Sequence, residues 1–441
     1  MELFIKIVQF VFIISVLVIL HELGHFIPAK YFKTKVEKFY LFFDVKFSLL
    51  KKKIGETVYG IGWLPLGGYV KIAGMIDESM DTEQMAKDPE PWEFRSKPAW
   101  QRLIIMLGGV IVNFLLAWFI YSTILAVEGD SYIPMDKVAH GIYADEVGEK
   151  LGLRTGDKII SVDGNLTKKY KKAHIALLLG DEALVLRDGK EVTVQLTDEG
   201  KKAVLESKGK RFLDLRREAI IGRVVDGYSA KKSGLLPNDQ IKSMNGKPIA
   251  FWDEFNKVVK GNANKNIDLG IVRNGQVMQL ALQVQDSAIV GVSSSIEALE
   301  KLEVKDEYTI LQSIPAGFKE TISVLTDQVK QFKLVFSSTI QGYKQMKGPI
   351  GIVEMMPAEW DWGYVWSFMA MFSVWLAFLN ILPIPALDGG HVMFLLYEMI
   401  SGRPPSEKVL ERGQIIGFVI LMGLMAIIFG NDIWNLIKDK F

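Results

Sequence analysis

The sequence predicts an α-helical polytopic membrane protein with about four transmembrane helices, a membrane-reentrant β-hairpin and two inserted α+β domains. Three observations predict it. Apolar residues gather into four runs of bilayer length, although only 49% of the 441 residues are hydrophobic and 23% are charged. The long polar stretch between the second and third runs contains an internal repeat. A short segment, about 56–76, alternates like a strand pair around Leu64-Pro65-Leu66-Gly67-Gly68. Composition narrows the function. A formal net charge of +1 gives no footprint for nucleic acid. The absence of cysteine excludes disulfides and thiolate metal sites, so any metal is held by His, Asp or Glu.

A bilayer requires about 20 apolar residues per helix. The four runs are about 3–26, 103–127, 364–387 and 414–429. Tryptophans flank them at headgroup depth: Trp92 and Trp100 before the second, Trp360, Trp362 and Trp366 around the third, Trp434 after the fourth. Buried core helices are the alternative for such runs. The first run is not read as a cleaved leader, because it is long, Glu2 leaves it poorly basic, and no small-x-small site follows. Thirteen basic residues from Lys30 to Arg102 put the first loop in the cytoplasm, and Arg403, Lys408 and Arg412 do the same for the last. The stretch 130–362 and both termini then face the other side, with His25 near the cytoplasmic end of its helix.

The repeat aligns Gly148 to Gly164 with Ala230 to Gly246, 82 residues on, with Gly, Leu, Asp, Ile, Ser and Gly in register. Each copy reads as a helix end, a Gly turn, an Asp, a short strand and an Asp-Gly or Asn-Gly turn. The pattern resembles the bacterial PDZ signature with permuted strand order, giving tandem domains at 130–206 and 213–288. PDZ domains take an extended peptide onto a sheet edge; a duplicated β-domain that binds nothing is the alternative. These domains divide the membrane part into 1–129 and 347–441. Between them and the second part, Phe318, Ile322, Leu325, Val329, Phe332 and Val335 recur at helical spacing, an amphipathic helix within 308–346. It reads as a packing helix rather than a guide for substrate. The segment 56–76 has an apolar tip, and such backbone is tolerated at membrane depth only beside protein or a water-filled cavity.

Chemistry is concentrated in two places. Inside the first run stand His21-Glu22-Leu23-Gly24-His25. Ionisable groups at membrane depth cost roughly 2.5–3.5 kcal/mol each on insertion scales, so they are rare there and usually functional. Histidines at i and i+4 share one helix face, and the Glu beside the first reaches a water on the same metal. The third run ends in Asn380-Ile-Leu-Pro383-Ile-Pro385-Ala-Leu387-Asp388-Gly389-Gly390-His391. Its two prolines break the helix, and an intramembrane carboxylate follows. Catalytic zinc takes three protein ligands and leaves one position for water. His21, His25 and Asp388 supply that set, and Glu22 remains as the base. Two buried histidines with a helix-capping Asp are the alternative. His391 reads as a supporting residue, His140 and His174 as solvated, and Lys51-Lys52-Lys53 as a topology and anionic-lipid patch.

HExxH in the first span, the Asn-x-x-Pro-x-Pro-x-Leu-Asp-Gly run at the third, Gly348-Pro349-Ile350-Gly351-Ile352 before it and the PDZ repeats between together resemble the site-2 protease family of intramembrane metalloproteases. The resemblance covers essentially the whole chain. It implies a zinc (Zn2+) endopeptidase of the bacterial inner membrane, with periplasmic PDZ domains and an active site near the cytoplasmic face. It implies that Asn380 holds the substrate backbone or the developing oxyanion. The hairpin Leu64, Pro65, Leu66, Gly67, Gly68, Tyr69 and Val70 resembles the family's reentrant β-loop, whose edge strand binds substrate; Pro383 and Pro385 join it. Implied substrates are single-span membrane proteins: an anti-sigma factor already trimmed by an upstream site-1 protease, or remnants of signal peptides. The PDZ pair would exclude substrates with bulky external domains. One departure is Phe42-Phe43-Asp44, where the family often has Gly-Phe-Gly.

Two rivals are weaker. A membrane zincin with a cytosolic site needs a third ligand on a soluble helix and leaves Asp388 and the repeat unexplained. A non-catalytic membrane PDZ scaffold with a structural metal site has no use for the base Glu22.

Overall fold

Helix α1 (Glu2–Tyr31) leads into strands β1 (Val36–Leu41), β2 (Phe43–Ile54), β3 (Thr57–Leu64) and β4 (Tyr69–Ile72), then α2 (Ala99–Glu128). After an inserted unit come α3 (Ile310–Phe336), α4 (Pro349–Met355), α5 (Trp362–Ile381), α6 (Asp388–Ser401) and α7 (Glu407–Lys438). The computed structural model describes residues 1–65, 67–75, 88–207 and 212–438. The chain divides into a unit of Met1–Gly129, Glu307–Phe332 and Lys344–Phe441 and a unit of Asp130–Asp306 and Lys333–Tyr343. Among the described residues, α1, α2, α5 and α7 are long and apolar enough to cross a bilayer.

The third span is shorter than its hydropathy implies. It was expected to reach residue 387, but α5 stops at Ile381 because Leu382 precedes Pro383 and is extended, with φ −60 and ψ 144. A proline's ring disfavours helical backbone in the residue before it. The chain then turns sharply. A Cβ on Gly389 would overlap the backbone of Ile381, and one on Gly390 would overlap that of Pro385, so α6 starts directly against the end of α5.

Helices α1 and α2 touch through their backbones. A Cβ on Gly24 would sit 2.6 Å from the Gly108 carbonyl carbon, and one on Gly108 would sit 2.6 Å from that of Gly24. Small residues permit this approach, which suits association in lipid, where apolar side chains gain little from burial. Ser373 on α5 donates its hydroxyl to the Asn113 carbonyl of α2 at 2.7 Å. An Arg102–Glu398 ion pair ties α2 to α6. Helix α3 lays part of its apolar face on these spans: Phe318 meets Phe114 and Trp118, Phe332 meets Phe378, and Trp118 Nε1 donates to the Ile314 carbonyl at 2.8 Å.

The expected hairpin at 56–76 is corrected by the sheet, whose order is β2-β3-β1-β4. Strands β3 and β4 do not pair with each other. β1 lies between them, parallel to β3 (Lys38 opposite Val58) and antiparallel to β4 (Phe39 opposite Val70). The true hairpin is β2–β3, turning at Gly55 with φ +61. The difference has a physical cause: the segment 56–76 shows only its own alternation, while its partner strand, Val36–Leu41, lies upstream of it. Expected tip residue Leu66 lies outside the described residues. Phe42, at the place where the resemblance leads one to expect a glycine, has φ +68. A β-branched or bulky residue rarely takes that conformation.

The inserted unit carries the repeat in three dimensions. Asp157 and Asp239, both buried, occupy matching positions. Asp157 accepts the Arg154 N–H at 2.8 Å and a two-pronged bond from Arg187 at 2.8 Å and 2.8 Å. Asp239 accepts the Leu236 N–H at 2.8 Å and Arg273 at 2.6 Å and 2.7 Å. Each arginine also donates to the carbonyl of the turn glycine, Gly152 or Gly234. The repeated Asp therefore ties the Gly turn to a later strand. Each copy takes a further strand past the expected C-terminal bounds: Leu213–Leu215 pairs with Ile142–Ala144, and Val292–Ser294 pairs with Ile221–Val224. His174, expected to be solvated, is half-buried and corrected accordingly: its Nε2 lies 3.2 Å from the Leu213 carbonyl and its ring packs on Tyr170 and Phe212. Removing Arg273 leaves the buried Asp239 carboxylate with the Leu236 N–H as its remaining partner. Arg273→Ala is thus expected to destabilise the second copy by about 1–3 kcal/mol, read by urea-dependent proteolysis of the full chain; an unchanged midpoint would refute the role given to the pair.

Candidate metal centre

Helix α1 presents His21 and His25 on one face, one turn apart, and α6 presents Asp388 at its first residue. Three atoms converge. His21 Nε2 lies 3.2 Å from His25 Nε2 and 3.4 Å from Asp388 Oδ2, and His25 Nε2 lies 3.2 Å from the same oxygen. Among the described residues these three form the metal-ligating group that the structure brings together. Asp388 Oδ2 is buried and accepts no hydrogen bond.

The triangle is the test of fit. Ligands bound tetrahedrally to zinc at about 2.0–2.1 Å stand about 3.3–3.4 Å from one another. The three edges observed match that spacing, and the third ligand is a carboxylate oxygen left without a proton donor. The donor set and its dimensions therefore fit zinc.

The other ring nitrogens are held from α2. His25 Nδ1 donates to the Ile105 carbonyl at 2.8 Å, which leaves Nε2 with its lone pair toward the triangle. His21 Nδ1 lies 3.1 Å from the side-chain amide of Asn113. Between them stands Gly109, where a Cβ would fall 2.7 Å from His21 Nδ1, so no larger residue fits behind the rings.

Glu22 is not part of the triangle. It is 9% exposed. The Val70 backbone N–H of β4 faces its carboxylate, and Gly68 next to it packs tightly on β1 and α1, since a Cβ there would fall 2.6 Å from the Tyr40 carbonyl oxygen and 2.6 Å from Val18 Cγ1. β4 pairs only with β1 among the described strands, so its second edge is turned to this carboxylate.

A cavity of about 420 Å³ opens on these groups. His21, Glu22, His25, Asp388 and Asn380 line it, as do Gly68, Tyr69 and Val70. Leu64, Pro65, Gly67, Pro383 and Pro385 are not among its lining residues. Pro385 is occupied elsewhere, its backbone pressed against Gly390 of α6 and Gly417 of α7. Other residues on or near this wall make contacts that only the fold reveals. Asp44 accepts the Tyr69 hydroxyl at 2.8 Å and the Ser48 hydroxyl at 3.3 Å. His391 Nε2 lies 2.8 Å from the Gln414 amide of α7. Asn113, fully buried, carried a signal that was available: a lone amide in an apolar span.

The chain is similar to known proteins over nearly its whole length. The model of peptidase family M50 matches residues 9–424. The regulator of sigma-E protease RseP of Escherichia coli K12 is 30% identical over 448 residues, covering 96% of this chain and 97% of that one. The regulator of sigma E protease of Haemophilus influenzae is 28% identical over 452 residues, covering 97% and 98%. A Neisseria meningitidis protein named as a zinc metalloprotease is 28% identical over 450 residues, again covering 97% and 98%.

Proposed function

The chain belongs to peptidase family M50, the site-2 protease family of zinc metalloproteases, and from that premise we propose that it hydrolyses peptide bonds inside the membrane-spanning segments of single-span proteins. The observation that carries the reading is the position of His21, Glu22 and His25 within an apolar helix of bilayer length, with Asp388 of α6 closing the three-atom triangle.

His21, His25 and Asp388 would hold zinc, which when bound would supply a Lewis acid for the scissile carbonyl and the attacking water. Glu22 acts as the base that takes a proton from the attacking water and delivers it to the leaving amine nitrogen. Asn380, on the cavity wall, holds the substrate backbone or the oxyanion with its amide. A substrate helix ties up its own carbonyls, so it must be drawn out before attack. Strand β4 (Tyr69–Ile72) lies at the end of the sheet order beside β1, and an extended substrate segment would add there as a further strand, with Gly68, Tyr69 and Val70 on the cavity wall beside it.

The two inserted copies act as periplasmic PDZ domains that turn away substrates with bulky external parts, and the active site lies toward the cytoplasmic face of a bacterial inner membrane. The substrate class is then an anti-sigma factor already cut outside by another protease, or a signal-peptide remnant. The relatives named for sigma-E regulation support the first.

The test is cleavage of a single-span protein with a short external domain in reconstituted membranes, with both product ends mapped by mass spectrometry. New termini inside the hydrophobic span are expected. Cuts confined to the water-exposed segments would overturn the reading. Removal of 130–306 is expected to admit a substrate with its external domain intact, at least tenfold faster by the same assay; continued refusal would end the filter idea.

A further inference from the structure

Behind the ligand rings runs one stripe of α2: Ile105, Gly109 and Asn113, spaced i, i+4 and i+8 on a single face. Each member has a distinct relation to the histidines. Ile105 offers a backbone carbonyl to His25 Nδ1 at 2.8 Å. Gly109 clears space for both rings. Asn113 meets His21 Nδ1 at 3.1 Å. The partner of His25 is main chain, which substitution cannot remove. The partner of His21 is a side chain.

Asn113 is fully buried, and its Oδ1 has no hydrogen-bond partner. A neutral imidazole that offers Nε2 to a metal carries its proton on Nδ1 and must donate it. The acceptor it needs is an oxygen. The two ends of an amide are exchanged by a half-turn of the side chain, and their assignment follows from the hydrogen bonds they make. Turned so, Oδ1 accepts from His21 Nδ1, and the amide nitrogen takes the position now held by the unpartnered oxygen. The carrier is rigid, since the Ser373 hydroxyl bonds the Asn113 carbonyl at 2.7 Å and locks α2 to α5.

We propose that Asn113 is the positioning residue of His21: its side-chain oxygen accepts the Nδ1 proton, fixing the ring and its tautomer so that Nε2 faces the metal. The inference rests on the assignment of His21, His25 and Asp388 as ligands. It assigns to a residue of the second span a part in metal affinity rather than in substrate handling.

The test is zinc affinity of the full-length protein in detergent, by competition with a chromophoric chelator, together with the absorption spectrum of the cobalt-substituted form. Asn113→Leu keeps the size and removes the acceptor; it is expected to weaken zinc about 10- to 100-fold and to alter the cobalt spectrum. Asn113→Asp restores an acceptor oxygen and is expected to recover most of the affinity, a rescue that mere packing would not show. Should Asn113→Leu fail to fold, Asn113→Ala removes the amide without bulk and is read by the same criterion. Wild-type affinity without the acceptor, or an Asp variant as weak as the apolar one, overturns the proposal. His21→Ala separates the layers. Zinc retained by His21→Ala would overturn the ligand assignment itself, whereas zinc lost there but held normally by Asn113→Leu would overturn this inference alone.

Discussion

Glu22→Gln is expected to reduce hydrolysis by about 10²- to 10⁴-fold, the range for a positioned proton-transfer group. On the transition-state scale this is about 2.7–5.4 kcal/mol, at 1.36 kcal/mol per decade. The substitution keeps the shape of the side chain and its place against Gly68 and Val70. It removes only the ability to take a proton from water and return it to the amine. Since Glu22 stands outside the three-atom triangle, zinc content should not change. The pairing of intact metal with lost turnover is the diagnostic result. Cleavage of a single-span substrate by wild type and not by the variant, both zinc-loaded, would support the role. Equal cleavage by both would mean that catalysis occurs elsewhere.

Asp388→Ala is expected to remove activity by a different route. It takes away the one anionic corner of a triangle whose edges are 3.2, 3.2 and 3.4 Å. Two neutral imidazoles remain, short of the three protein ligands of a catalytic zinc site. Loss of a partner behind a ligand weakens metal by about 10- to 100-fold, so loss of the ligand itself should exceed about 100-fold. Zinc should then be absent after dialysis against a mild chelator, while the wild type retains it. Restoring free zinc in excess should recover little activity, because the carboxylate also sets the geometry of the site. A variant that keeps stoichiometric zinc at wild-type affinity would remove Asp388 from the ligand set.

The two-histidine motif was legible because α-helical spacing is local: four residues bring two side chains to one face whatever surrounds them. Asp388 was legible through the prolines, which announce a broken helix followed by a carboxylate at membrane depth. The same prolines also mark where α5 ends, yet the apolar run was carried to 387, because hydropathy does not see a helix break. Strand pairing is not local. Alternation at 57–64 and 69–72 predicts strands and, taken alone, a hairpin, whereas the strand that lies between them, Val36–Leu41, comes from upstream of both. Phe42 shows the same limit from the backbone side. Its departure from a glycine pattern was visible, while its positive φ and the cavity wall formed by Phe43 and Asp44 required the fold. Asn113 was passed over although the argument applied to His21, a polar group in an apolar span, applies to it equally.

His25 and Asp388 are 363 residues apart in the chain. At about 5–20 residues per second, a ribosome needs roughly 20 to 70 s to travel between them. During that interval the emerging polypeptide owns the histidines and the glutamate but not the carboxylate that closes the triangle. Because Asp388 follows the proline break after α5 rather than belonging to the first span, a growing chain threaded through the insertion machinery among many unfolded single spans carries an incomplete hydrolase. The order of synthesis is thus a safety catch, released only when the C-terminal spans are in place.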